Sequence, residues 1–174
     1  MIPFADYCRR VEHHIEKTYG LRIVTRDIPD PLTGDLNGSE IHIDNAVTPE
    51  QRLFLLAHLF GHTVQWNVNP VAFDLGQPRK PPVAEDSLPA LMEYEREAAR
   101  YALTLLHESG ITSADQWFAD YAACDESYLR HFYVTGEKKE FLSFWQNHTS
   151  LVKAQPIPRF SAVTRAFRTD GIVI

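Results

Sequence analysis

Two histidines stand four residues apart in the stretch Ala57-His58-Leu59-Phe60-Gly61-His62-Thr63-Val64-Gln65-Trp66. On a helix of about 3.6 residues per turn they share one face, about 6 Å apart along the axis, so both imidazoles reach one metal ion. Two imidazoles alone seldom hold zinc tightly, and a site with an open position takes a third protein ligand, often a carboxylate. Glu93, Glu95 and Glu97 offer one in a second helical segment. Glu95 shares its face with Ala98, Ala99, Ala102 and Leu106, a stripe of mostly small side chains that lets another helix approach closely. Glu97 falls with Tyr94, Tyr101 and Thr104, and Glu93 nearer that side. Helical geometry therefore ranks Glu95 first, Glu97 second and Glu93 third.

The helix carrying the histidines begins at Thr48-Pro49-Glu50-Gln51, where Thr48 is the N-cap, Pro49 takes the first helical position and Gln51 completes a capping box. From Pro49 to Trp66, Leu53, Leu56, Ala57, Phe60 and Val64 form one stripe flanked by Phe54, Leu55 and Leu59. A helix so apolar is buried, which puts the histidines inside the domain. The glutamate helix runs from about Leu88 to Glu108 and stops at Ser109-Gly110. An amphipathic helix from Phe4 to Tyr19 precedes them and ends at Gly20; its adjacent His13 and His14 point about 100° apart and read as surface residues.

Leu21–Thr25 and Ile41–Asp44 read as strands of a small sheet of two or three, with turn residues from Asp30 to Gly38 between them and Asn37-Gly38 as the strongest tight-turn signal. His42 alternates away from Ile41 and Ile43, so it faces solvent or covers the sheet. Residues 67–89, with Pro70, Pro78, Pro81, Pro82 and Pro89, read as a long loop. Beyond Gly110, Ser113 with Gln116 resembles another capping box, and the aromatic run from Trp117 to Tyr133 suggests two short helices before Gly136. Phe141–Trp145 suggests one more helix, and the tail from Gln155, with Phe160, Val163, Phe167 and Ile172, reads as irregular or extended. The expected fold is α+β, with a small antiparallel sheet packed against helices in residues 1–110 and a helical extension and tail in residues 111–174 of the same globular unit.

A chain of 174 residues suits one domain with a real core, and its 44% hydrophobic and 23% charged residues lie near globular averages. A net charge of −6 opposes a broad nucleic-acid footprint. The stretch from Ile111 to His148 has a helix-turn-helix outline, yet six acids (Asp115, Asp120, Asp125, Glu126, Glu137 and Glu140) outnumber Arg130, Lys138 and Lys139, so no nucleic acid is expected there. Cys8 and Cys124 lack metal-type spacing and read as reduced, structural thiols. The N-terminus carries neither a basic run nor a long apolar stretch, so the expectation is a cytoplasmic protein without membrane attachment.

Ile41-His42-Ile43-Asp44, then Glu50 to His62 with Ala57-His58-x-x-Gly61-His62, then Glu95-x-x-Ala98-x-x-Tyr101-Ala102-x-x-Leu105-Leu106, resembles the ImmA/IrrE family of zinc metallopeptidases. The likeness covers roughly residues 4 to 108. It implies a zincin-like core in which zinc is held by His58, His62 and Glu95, and an activity that in the family typically cuts transcriptional repressors. Two positions depart from the pattern. Leu59 stands where His-Glu-x-x-His peptidases carry their general base, and Ala99 stands where an asparagine or aspartate supports the site. Without the base, the water to be activated has no proton acceptor, and such assistance is worth about 10²–10⁴ in rate. Loss of the support weakens metal affinity by about 10–100-fold.

The first functional expectation is a protein that binds a divalent metal, zinc, through two histidines and one glutamate, lacks efficient peptide hydrolysis, and acts by binding a protein or peptide. Its alternatives are an active zinc endopeptidase whose base comes from Glu93, Glu97 or residues 67–89, and a metal-free interaction module that keeps only the fold.

Overall fold

The computed structural model describes residues 1–29 and 32–165. The chain runs α1 (Phe4–His14), a π-helical turn (Ile15–Tyr19), β1 (Arg22–Arg26), β2 (Gly34–Leu36), β3 (Glu40–Asp44), α2 (Pro49–Val68) and α3 (Pro70–Leu75). It continues through a 3₁₀ turn (Glu85–Ser87), α4 (Leu88–Glu108), α5 (Asp115–Thr135) and a 3₁₀ turn (Phe141–Phe144). Among the described residues the architecture is α+β: five α-helices and a three-stranded mixed sheet of order β1-β3-β2.

The start of α2 is set as its sequence demands. The Thr48 side chain accepts from the Gln51 amide, and the Gln51 side chain accepts from the Thr48 amide, which together satisfy two otherwise orphaned donors. Every residue from Leu53 to Trp66 is buried, so α2 is the axis of the core and its histidines have no solvated face. Leu56, Phe60 and Val64 of α2, Val11 and Ile15 before the sheet, Ile41 and Ile43 of β3, Ala102 and Leu106 of α4, and Phe118 of α5 belong to one apolar cluster.

The sheet differs from the antiparallel expectation. β2 and β3 form an antiparallel hairpin around Asn37 and Gly38, where the Asn37 side-chain oxygen accepts from the Ser39 and Glu40 amides. β1 joins the opposite edge of β3 in parallel register, Ile23 against Ile41. Gly34-Asp35-Leu36 takes the hairpin place beside β3; glycine and aspartate are poor strand formers, which is why the segment reads as turn in isolation. A Cβ built on Gly34 would lie 2.8 Å from Leu59 Cδ1, so β2 lies directly over Leu59 of α2. Asp30 and Pro31 of the expected turn lie outside the described residues.

Residues 67–89 are not one long loop. Asn69 caps α3 by accepting from the Val71 amide, with Pro70 at the first helical position. The two short helices expected after Ser113 are one helix, α5, because no glycine or proline interrupts residues 115–135. Its N-cap is Ala114, and the Ser113 hydroxyl pairs with Tyr7 instead of capping. Gly136, at φ +73°, ends it. The helix expected at Phe141–Trp145 is a 3₁₀ turn.

His14 is less free than its surface reading implied, since its Nε2 lies 3.0 Å from Glu108. His42 covers the sheet, with Nε2 3.0 Å from Glu40. After Trp145 the chain has no helix or strand up to residue 165; it straps α4 through Gln155, whose amide donates to the Arg100 carbonyl, and returns to the hairpin where the Arg165 amide donates to the Asn37 carbonyl. Phe167 and Ile172 of the tail lie outside the described residues. Cys8 and Cys124 are buried free thiols, each pushed up to about 11 chiefly by burial. No helix among the described residues is long and apolar enough to cross a membrane.

Candidate metal centre

The site begins with a glycine. A Cβ on Gly61 would meet the Ala98 carbonyl oxygen at 2.2 Å and Ala98 Cα at 2.9 Å, so the α4 backbone rests on the α2 backbone at this point. Only glycine tolerates that approach. Ala98 and Ala102 are fully buried at the crossing, and Glu95 sits one turn before Ala98 on the same face. His58 and His62 bracket Gly61 on α2, and the small-residue crossing brings the carboxylate to them.

The three side chains converge through single atoms. His62 Nε2 is 3.0 Å from His58 Nε2 and 3.1 Å from Glu95 Oε2, and His58 Nε2 is 3.6 Å from the same oxygen. All three residues are buried, with exposures of 4%, 5% and 8% for His58, His62 and Glu95. A tetrahedral ion with bonds of about 2.0–2.2 Å separates neighbouring ligand atoms by about 3.3–3.6 Å, so the triangle is close to the size a zinc-like ion requires. His58, His62 and Glu95 lie close enough to hold a metal ion.

The rings are held before any ion arrives. His58 stacks on Phe54 at 5.3 Å, His62 stacks on Tyr94 at 4.4 Å, and the two imidazoles meet edge to face. Gln65 assigns the His62 tautomer. Its Nε2 donates to the Tyr94 carbonyl and to Glu97, which turns its Oε1 toward His62 Nδ1 at 2.9 Å. Nδ1 is therefore the donor, and in the neutral ring Nε2 keeps the lone pair aimed at His58 and Glu95. Acceptors converging at this distance in a dry site need a proton or a cation between them, and a metal held there would take the place of the proton.

The electrostatics prepare a ligand set. Burial, helped by His62 and opposed by Glu95, pushes His58 down to about 3, so it is neutral at physiological pH. Burial raises the Glu95 carboxyl, but a proton held on His62 Nε2, by its charge and by its hydrogen bond to Oε2, followed by His58, outweighs burial and holds the carboxyl below the usual glutamate value. Neutral imidazole and ionised carboxylate are the forms that bind metal.

The other sequence candidates are elsewhere. Glu93 pairs with Arg100 on an exposed face, and Glu97 bonds Gln65, one step removed from the centre. Leu59 is fully buried and packs beneath Gly34 of β2. Among the described residues of positions 67–89, Arg79 lines a small cavity of about 50 Å³ beside His62 and Glu95, and no carboxylate of that segment reaches it.

Two residues beyond the sequence candidates complete the surroundings. Gln65 stands one turn after His62, a spacing that the pair itself suggests. Asp125 comes from α5, with Oδ2 3.9 Å from His58 Nδ1 and 3% exposure. Burial, followed by Glu95 and Glu126, pushes its carboxyl well above the usual aspartate value, so this approach to neutral His58 is not an ion pair. Its signal was an acid on the buried face formed by Phe118, Tyr121, Tyr128 and Phe132, visible only once 115–135 is one helix.

His58, Glu95, Ala99 and Asp125 line a cavity of about 350 Å³, roofed by Ser150–Lys153 of the C-terminal strap. Asp125 also faces a larger groove of about 910 Å³ floored by Phe54, Tyr121, Tyr128, Phe141 and Trp145. Comparison of the chain with family models, with curated proteins and with solved structures gave no match.

Proposed function

We propose that this chain is an ImmA/IrrE-like, zincin-type protein that holds a divalent ion, zinc, at His58, His62 and Glu95 and acts by binding a protein or peptide without hydrolysing it efficiently. The observation that carries this reading is the pairing of a buried two-histidine, one-glutamate triangle with a leucine at position 59 that is fully buried against the sheet. Mixed nitrogen and oxygen donors at tetrahedral spacing suit zinc. A held ion would supply a Lewis-acidic position. The chain supplies no acid–base partner at residue 59, and neither Glu93 nor Glu97 faces the triangle. The aromatic groove beside Asp125 offers the surface for a peptide, which supports the binding half of the reading.

The test is incubation of the zinc-loaded parent with a denatured protein pool, with and without chelator, beside Leu59→Glu. The parent is expected to leave the pool intact in both conditions. Chelator-sensitive cleavage by the parent would overturn the non-hydrolytic reading. Gain of cleavage in the variant supports it, provided circular dichroism shows that the variant folds with a carboxylate placed beneath Gly34.

A further inference from the structure

The geometry points to Asp125 as the residue that positions His58 for the metal, a carboxylate supplied to the centre by the C-terminal extension. This rests on the metal-holding reading above. Its starting point is an asymmetry between the two histidines. His62 Nδ1 is braced by Gln65 at 2.9 Å. His58 Nδ1 makes no hydrogen bond among the described residues, although its Nε2 faces the same triangle. Asp125 is the complementary orphan: it is 3% exposed, and neither carboxylate oxygen makes a hydrogen bond among the described residues. Both residues line the cavity of about 350 Å³ between α2, α4 and α5, so the two groups are turned to one shared space and have no other partner among the described residues. The two face each other, Nδ1 to Oδ2, at 3.9 Å, just beyond hydrogen-bond length.

The helix that brings Asp125 is keyed to the His58 ring. Tyr121, one turn earlier on α5, stacks on Phe54 at 4.1 Å, and Phe54 stacks on His58 at 5.3 Å. The imidazole thus touches α5 through an aromatic relay on its face and through Asp125 at its edge. Ala99 of α4 shares the cavity beside His58, and its methyl group carries no polar atom, so no side chain at that position competes with Asp125 for Nδ1. A histidine that ligates metal through one nitrogen donates from the other, and the partner fixes the tautomer and the ring angle. Asp125 does for His58 what Gln65 does for His62. α5 is thereby part of the centre and not only a packing element.

The test uses the full chain and three proteins: parent, Asp125→Asn and Asp125→Ala. Zinc affinity is measured by competition with a chromophoric chelator, and melting is recorded for each protein without metal. Asp125→Ala is expected to bind zinc about 10–100-fold more weakly. Asp125→Asn, which keeps an acceptor oxygen, should retain part of that affinity. Both are expected to melt without metal at or above the parent temperature, because a buried carboxyl group without a protein partner has been removed. Nitrogen-15 spectra supply a second reading: in the zinc-loaded parent the His58 Nδ1 proton is protected from exchange, and in Asp125→Ala it is not.

Zinc affinity unchanged in folded Asp125→Ala would overturn the inference. So would a loss of metal-free stability in both variants with affinity intact, which marks a packing residue only. A parent that takes up no zinc overturns the metal-holding reading itself, and that measurement comes first.

Discussion

In excess zinc the parent protein is expected to melt far above its chelator-treated form, while His62→Ala melts at one temperature in both. Metal that binds only the folded state stabilises it by about 4 kcal/mol when its concentration is a thousand times Kd, roughly 10 °C in a chain of this size. His62 is the hub of the triangle, with the shortest distances to both partners. Removing it leaves His58 and Glu95 as two ligands 3.6 Å apart, too few to hold zinc tightly. The variant also loses a buried ring stacked on Tyr94, so its metal-free form melts below the metal-free parent. The decisive quantity is the difference between zinc and chelator within each protein. An equal zinc-dependent rise in His62→Ala would contradict the ligand assignment.

Gly61→Ala is expected to damage stability and zinc affinity together. In an ordinary helix it would stabilise by about 1 kcal/mol, because alanine gives up less backbone freedom. Here the new Cβ falls 2.2 Å from the Ala98 carbonyl oxygen, and that oxygen belongs to the backbone of a buried helix, not to a side chain that can turn away. The helices must separate, at an overpacking cost of about 1–3 kcal/mol or more. Glu95 moves with α4, so zinc affinity falls together with stability. Urea unfolding and zinc competition measure the two, and a variant as stable as the parent with unchanged affinity would show that the crossing does not set the site.

What could be read in the chain follows from how local each cue is. The start of α2, the end of α4 and the Asn37-Gly38 turn are written in residues within a few positions of one another, and the structure has them where those residues demand. The preference for Glu95 over Glu97 and Glu93 needed only the face of one helix, because Ala98 and Ala102 mark the side that another backbone can approach. The parallel pairing of β1 and the strand Gly34–Leu36 depend on which segments meet, and weak strand formers conceal that choice. α3 was hidden among prolines, although Asn69-Pro70 is itself a helix start. Asp125 was hidden for a different reason. Nothing near it in sequence refers to His58, and its neighbourhood arises only from the packing of α5 on α2 through Tyr121 and Phe54.

Leu59 keeps its meaning in three dimensions and gains a second one. It is core, filling the space beneath Gly34 where the sheet closes on α2. A leucine there, beside donors close enough to hold a metal ion, is what the proposed non-hydrolytic reading rests on.

The most direct measurement is the metal content of protein purified without added metal, joined to anomalous scattering from its crystals. The account predicts close to one equivalent of a divalent transition metal per chain, with an anomalous peak between the Nε2 atoms of His58 and His62 and the Glu95 carboxylate. Less than about 0.1 equivalent, with no uptake on titration and no peak at that position, would contradict it.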